Sequence, residues 1–204
     1  VTRLMGATVA PASQAAGSEA AAWEESKSWF DVVGNEKVTV RGLRAWRAQA
    51  VLEDIAQTPD TVVFHDVSEL DYSHHSAKHG RMEIGDHHGK GYEYHPCVAW
   101  DARGNRFLGV LHDTLISESG PDDADVVDYN GDPALDVLDD EAHARLPFNH
   151  RHQVAMHIRY LAQLAPDRKL IHVADREFDD TLAMLAACKA GHDFVFRAVG
   201  NRTV

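Results

Sequence analysis

The spacing of hydrophobic positions changes near Pro59. Before it, apolar residues recur at helical intervals. Trp23 and Phe30 lie seven apart in the run GSEAAAWEESKSWF, which reads as a helix over residues 17–30 with Ser18 as its N-cap. Leu43, Trp46 and Ala50 mark a second helix over about residues 39–55, and Arg41, Arg44 and Arg47 form a stripe on another of its faces. After Pro59-Asp60 the pattern becomes short β-branched and aromatic runs. Residues 61–67 (TVVFHDV) read as a buried strand. A Gly- and His-rich connection follows to Gly91, and then two strand-like runs, 94–100 and 106–116, flank the turn Asp101-Ala-Arg-Gly-Asn105.

Helical spacing returns with Val154, Ile158 and Leu161, in a helix that Asn149 can cap and Pro166 ends. Residues 169–174 (KLIHVA) are a continuous apolar strand, residues 179–190 a helix with Gly191 at C′, and residues 193–199 a last strand. A meander followed by strand–helix–strand crossovers implies an α/β fold, a mixed sheet with helices on its faces, preceded by a small helical segment. The expected division is a helical segment over 1–58 and a sheet domain over 59–204. The chain begins with Val and stops just after an apolar run, so both ends read as artificial.

Composition is that of an ordinary globular protein, 44% hydrophobic and 25% charged. No apolar stretch has the length of a membrane span, and the first residues lack the order of a secretory signal. Cys97 and Cys188 show no CxxC spacing and read as reduced core residues, which suits the cytoplasm. The net charge of −12 is concentrated: residues 118–141 hold ten acidic side chains and no Lys or Arg. This stretch reads as a solvated acidic loop, and the remainder is close to neutral. Charge therefore neither requires nor excludes a nucleic-acid partner.

Two aspartates carry the chemistry. Asp66 lies on one apolar strand and Asp175 at the carboxyl end of another. Carboxylates there are costly unless paired or bound to a cation, and ligand sites of open α/β sheets gather at the carboxyl ends of strands. If the strands are neighbours, a divalent cation relieves the repulsion between the two carboxylates. The plainer reading is two strand-end residues capping turns. His74, His75, His79, His87, His88 and His95 crowd a short stretch, so a His-rich zinc-binding protein is an alternative, although no HExxH or paired-Cys spacing is present. A GxSxG elbow and a P-loop are both missing.

Five segments, in order, resemble one family. Phe64-His-Asp66-Val-Ser-Glu-Leu-Asp-Tyr72 is similar to the first-aspartate motif of the DDE transposases of bacterial insertion sequences, in the group of Tn-five and IS-four. Ile84-Gly-Asp-His-His-Gly-Lys-Gly91, with His95 and Phe107-Leu-Gly-Val-Leu-His112, resembles that group's Gly-rich connection and hairpin. Val173-Ala-Asp175-Arg-Glu-Phe-Asp179 resembles its second-aspartate motif, and Phe194-Val-Phe-Arg197 with Asn201-Arg202 the Arg-bearing strand after it. Upstream, residues 17–30 and 41–49 resemble the segment joining the DNA-binding helices to the core.

The resemblance implies a ribonuclease-H-like fold over 59–204 and a remnant of the DNA-binding region over 1–58. It implies Mg2+ (Mn2+ as substitute) held by Asp66 and Asp175, and cleavage and strand transfer at transposon ends by a homodimer assembled on double-stranded DNA. Arg41, Arg44, Arg47, Arg176, Arg197 and Arg202 become candidate DNA contacts, and the protein is expected in the cytoplasm on the nucleoid, away from membranes. The family's third ligand, a Glu in a Tyr/Arg/Glu/Lys helix motif, lies beyond the last residue here. The polypeptide is thus expected not to cut DNA by itself. The alternative within the family is a non-catalytic remnant that binds DNA or pairs with intact transposase.

Overall fold

The computed structural model describes residues 27, 31–32, 34–85, 88–127 and 150–198. Most of the helix expected over 17–30, His87, most of the acidic stretch, the Asn149 cap and Arg202 lie outside these residues. The chain divides into two compact units, 1–45 and 46–204. Helix α1, Val40–Ala56, runs across that division. Its start is chemically defined: the Thr39 hydroxyl accepts from the Gly42 N–H at 3.0 Å, which satisfies one of the amides a helix leaves open.

Among the described residues, eight strands follow, with two more helices between them. They are β1 Thr61–His65, β2 Ser68–Asp71, β3 Met82–Ile84, β4 Gly89–Asp101, β5 Arg106–Ser117 and β6 Gly120–Pro121. Then come α2 His150–Leu164, β7 Leu170–Ala174, α3 Thr181–Ala190 and β8 Asp193–Phe196. They form one mixed sheet in the order β6-β5-β4-β1-β7-β8, with β2 and β3 pairing the outer part of β4. The hairpin of β4 and β5 is antiparallel, and β1 joins it antiparallel. The β1–β7 and β7–β8 pairs are parallel. The chain is therefore an α/β protein with a mixed sheet.

The Gly- and His-rich connection is not wholly a loop, because β2, β3 and the first residues of β4 are built from it. Its short strands, with few apolar side chains, left no alternation to read. The later elements lie close to expectation. Asp180 caps α3 by accepting from the Leu182 N–H, and Gly191 closes it in the left-handed region at φ 70°.

On one face, Thr61, Val63 and His65 of β1, Leu170, His172 and Ala174 of β7, and Cys97 and Ala99 of β4 are all buried. Val51 and Ile55 of α1 and Leu161 of α2 pack there, while α2 and α3 enclose Ala174 and Phe178. The other face is more open: Phe64 and Val195 are 41% and 63% exposed. In β5 the strict alternation breaks. The register shifts between Cys97/Val98 and Ala99/Trp100 leave Leu111 and Leu108 as extra residues, both turned into the core. At Gly109, φ 141°, α1 comes so close that an added Cβ would stand 2.6 Å from a Val51 methyl.

A polar seam crosses the buried face at right angles to the strands. His192 Nδ1 lies 2.8 Å from His172 Nε2, and His172 Nδ1 lies 2.9 Å from His65 Nε2. Cys97 Sγ is 3.6 Å from both His65 Nδ1 and His157 Nδ1. Thr114 Oγ1 then stands 2.7 Å from His157 Nε2 and 2.6 Å from Asp123 Oδ2, which also meets His112 Nε2 at 2.7 Å. Asp123 is 1% exposed, so this member of the acidic stretch is not solvated; it is buried because a histidine and a hydroxyl both satisfy it. Cys97 is buried as expected, but Cys188 is exposed: the α3 face it occupies turns outward, which corrects its reading as a core residue.

Burial favours the neutral form of His65, His157, His172 and His192. Desolvation lowers His65 to about 3, with the neighbouring His157, His95 and His112 adding to it, and drives His157 and His172 well down. The unfolded chain takes up protons near pH 6.5 that the folded chain refuses, so stability falls as pH drops below about 6.5. Each such group contributes a slope of up to about 1.4 kcal/mol per pH unit. Urea unfolding followed by circular dichroism between pH 7.5 and about 5 should show the midpoint falling steeply with acid. A midpoint that stays flat across this window would show that the histidines are not buried and neutral.

Candidate functional site

β1 and β7 run parallel with His65 opposite Ala174 as their last registered pair. The next residue on each strand is an aspartate. Asp66 and Asp175 therefore leave adjacent strands at the same level, each one residue past a registered pair whose strands lie about 4.8 Å apart. β8 extends the row. Its Phe196 lies opposite Ala174, and the Arg197 N–H donates to the Ala174 carbonyl at 3.2 Å. Asp66, Asp175 and Arg197 thus stand side by side at the carboxyl ends of three parallel neighbours.

Local chemistry holds both carboxylates. Asp66 Oδ1 accepts from the Val67 N–H at 2.9 Å. Asp175 caps the single 3-10 turn Arg176–Phe178, its Oδ1 accepting from the Glu177 N–H at 2.8 Å. The turn is pinned by Phe178, which is fully buried against α2 and α3. One oxygen of each aspartate is thus engaged by its own backbone, as the plain turn-capping reading expects. The second oxygen of each is a hard donor on an exposed carboxylate, the type that Mg2+ or Mn2+ takes beside water and phosphate oxygens. Both are donors of the kind such an ion takes. Among the described residues, neither aspartate belongs to a cluster of three or more ligand groups.

No protein-family model matches the chain, and no curated protein matches it.

The arginines separate by position. Arg176 and Arg197 are exposed beside the aspartates. Arg41 is exposed and Arg44 half-buried on α1. Arg47 turns inward: its Nη2 lies 2.6 Å from Asp113 Oδ1, and the Tyr94 hydroxyl donates to the same carboxylate at 3.0 Å. Of the loop histidines, His74, His75, His79 and His88 are exposed, and none of these joins a metal-capable cluster among the described residues. His95 is buried instead.

Two clusters that can hold a metal lie in the seam, His65–Cys97–His157 and His112–Asp123–His157. Sequence reading missed them because their members come from β1, β4, β5, α2 and the stretch after β6, so no local spacing betrays them. The available signal was a histidine at an inward position of an apolar strand, as in VFHD, GVLHD and LIHVA.

These placements predict different outcomes for two arginines. Arg47→Ala leaves the mostly buried Asp113 without its cation and should cost on the order of 2–3 kcal/mol in urea unfolding. Arg197→Ala, on the surface, should stay within about 0.5 kcal/mol of the parent. Equal losses would contradict the assignment of Arg47 to the fold and Arg197 to the site.

Proposed function

We propose that the chain is the first part of the catalytic core of a cut-and-paste DNA transposase of the DDE kind. Asp66 and Asp175 are its first two metal-binding carboxylates. The observation that carries this reading is the row of Asp66, Asp175 and Arg197 across β1, β7 and β8, since it joins three of the five resembling segments at the carboxyl ends of neighbouring strands. The sheet supports it further. An antiparallel three-strand meander continued by parallel strands with helical crossovers is the arrangement that a ribonuclease-H-like core requires.

In this reading Asp66 and Asp175 hold Mg2+, with Mn2+ as a substitute. When bound, such ions supply activation of a hydroxyl or water and neutralise the leaving oxygen in phosphodiester displacement. The residues of the chain position the DNA around them. Arg176 follows Asp175 in the chain and Arg197 stands on the neighbouring strand, where their guanidinium groups pair with phosphate oxygens. Arg41 and Arg44 offer further phosphate contacts from α1. The partner is double-stranded DNA at transposon ends, held by a dimer.

The test is an excision assay in cells with the full-length protein as encoded, on a reporter flanked by its terminal repeats. Asp66→Asn and Asp175→Asn should each abolish excision, a loss of at least about a thousandfold, while protein level and circular dichroism stay at the parent's. Excision that persists in either variant would overturn the assignment.

A further inference from the structure

We propose a zinc site, separate from the carboxylate pair, at His65 Nδ1, Cys97 Sγ and His157 Nδ1. It is independent of the transposase reading. The three residues come from β1, β4 and α2, and their ligand atoms converge within 4.8 Å in the buried interior. Both imidazoles present Nδ1 to the same sulfur at 3.6 Å. Tetrahedral zinc, with Zn–S about 2.3 Å and Zn–N about 2.0–2.1 Å, sets sulfur and nitrogen about 3.6 Å apart.

The other side of each ring is engaged as zinc-bound imidazoles require. His157 Nε2 faces the Thr114 hydroxyl, whose proton goes to the Asp123 carboxylate. Asp123 accepts only, so Thr114 accepts from His157 Nε2–H, and the bare Nδ1 lone pair of His157 points at the sulfur. His65 Nε2 meets His172 Nδ1 at 2.9 Å, which likewise frees Nδ1 when Nε2 carries the proton. Such outer partners fix the tautomer and orientation of metal-bound histidines. Charge also balances: a dication, the Cys97 thiolate and the Asp123 carboxylate sum to zero in a place where an unpaired charge is costly. Burial alone pushes the Cys97 thiol far up, but coordination removes its proton outright.

The second cluster does not compete. Asp123 Oδ2 is 2.7 Å from His112 Nε2 and 2.6 Å from the Thr114 oxygen, the lengths of hydrogen bonds. Two ligands of one zinc stand about 3.3 Å apart at those bond lengths. His112 and Asp123 are therefore outer partners. Among the described residues no fourth His, Cys, Asp or Glu ligand atom joins the three, which leaves one position for a water or small ligand.

The test uses the full chain expressed with zinc and, separately, with cobalt in its place. The proposal expects about one metal per chain by plasma mass spectrometry after dialysis. It also expects a thiolate-to-cobalt charge-transfer band in the near ultraviolet, lost in Cys97→Ser and kept in Cys188→Ser. Because Cys97→Ser can fail to fold, the wild-type cobalt spectrum is decisive by itself. No retained metal, or cobalt without the thiolate band, overturns the proposal; the seam is then a metal-free chain in which the Cys97 thiol bridges two rings. Loss of the Asp66–Asp175 reading would leave this result unchanged, since neither aspartate is a ligand here.

Discussion

The parallel pairing of β1 with β7 is the constraint on which both sites depend. Its register sets His65 opposite Ala174, and everything else follows from one residue more or less along the strands. At position 65 the side chain turns into the helix-covered interior, and at position 66 the chain reaches the exposed carboxyl end. The same holds for His172, two residues inside β7, and Asp175, one residue beyond it. A slip of one residue would turn the buried set to the open face and separate the two aspartates. The pairing is long-range in sequence and buried on the helix side, so helix packing on Val63, Leu170 and Ala174 holds the site as well as the core.

Polar residues in this core are organised, not scattered. From His192 to His112 the seam links four strands and α2 through ring nitrogens, one sulfur, one hydroxyl and one carboxylate. Each group is buried because its neighbour satisfies it, so the network behaves as a unit in which removing one member strands the next. This explains how His65, His157 and His172 sit inward without being charged. It also ties β1, directly beneath Asp66, to the hairpin and to α2.

Much of the α/β reading was legible in the sequence because the strands of residues 61–65 and 170–174 are short apolar runs and the helices carry clear periodicity or caps. Asp66 and Asp175 stood out because a carboxylate beside such a run needs a reason. Their adjacency was not legible: it arises from pairing across more than a hundred residues. Three things were hidden for identifiable reasons. The bulges at Leu108 and Leu111 erase the alternation in β5. The strands within the Gly- and His-rich stretch are only four and three residues long, too short for an alternation to show. Asp123 looks like one more member of an acidic run until His112 and Thr114 are seen to enclose it.

The most direct test of the central claim, that Asp66 and Asp175 form one cation site, is a crystal of the full chain soaked in Mn2+ and recorded at the manganese absorption edge. The account predicts an anomalous peak between the two carboxylates, within about 2.5 Å of an oxygen of each, that disappears in Asp175→Asn. Manganese bound elsewhere, or carboxylates that turn away from one another with no peak between them, would contradict it.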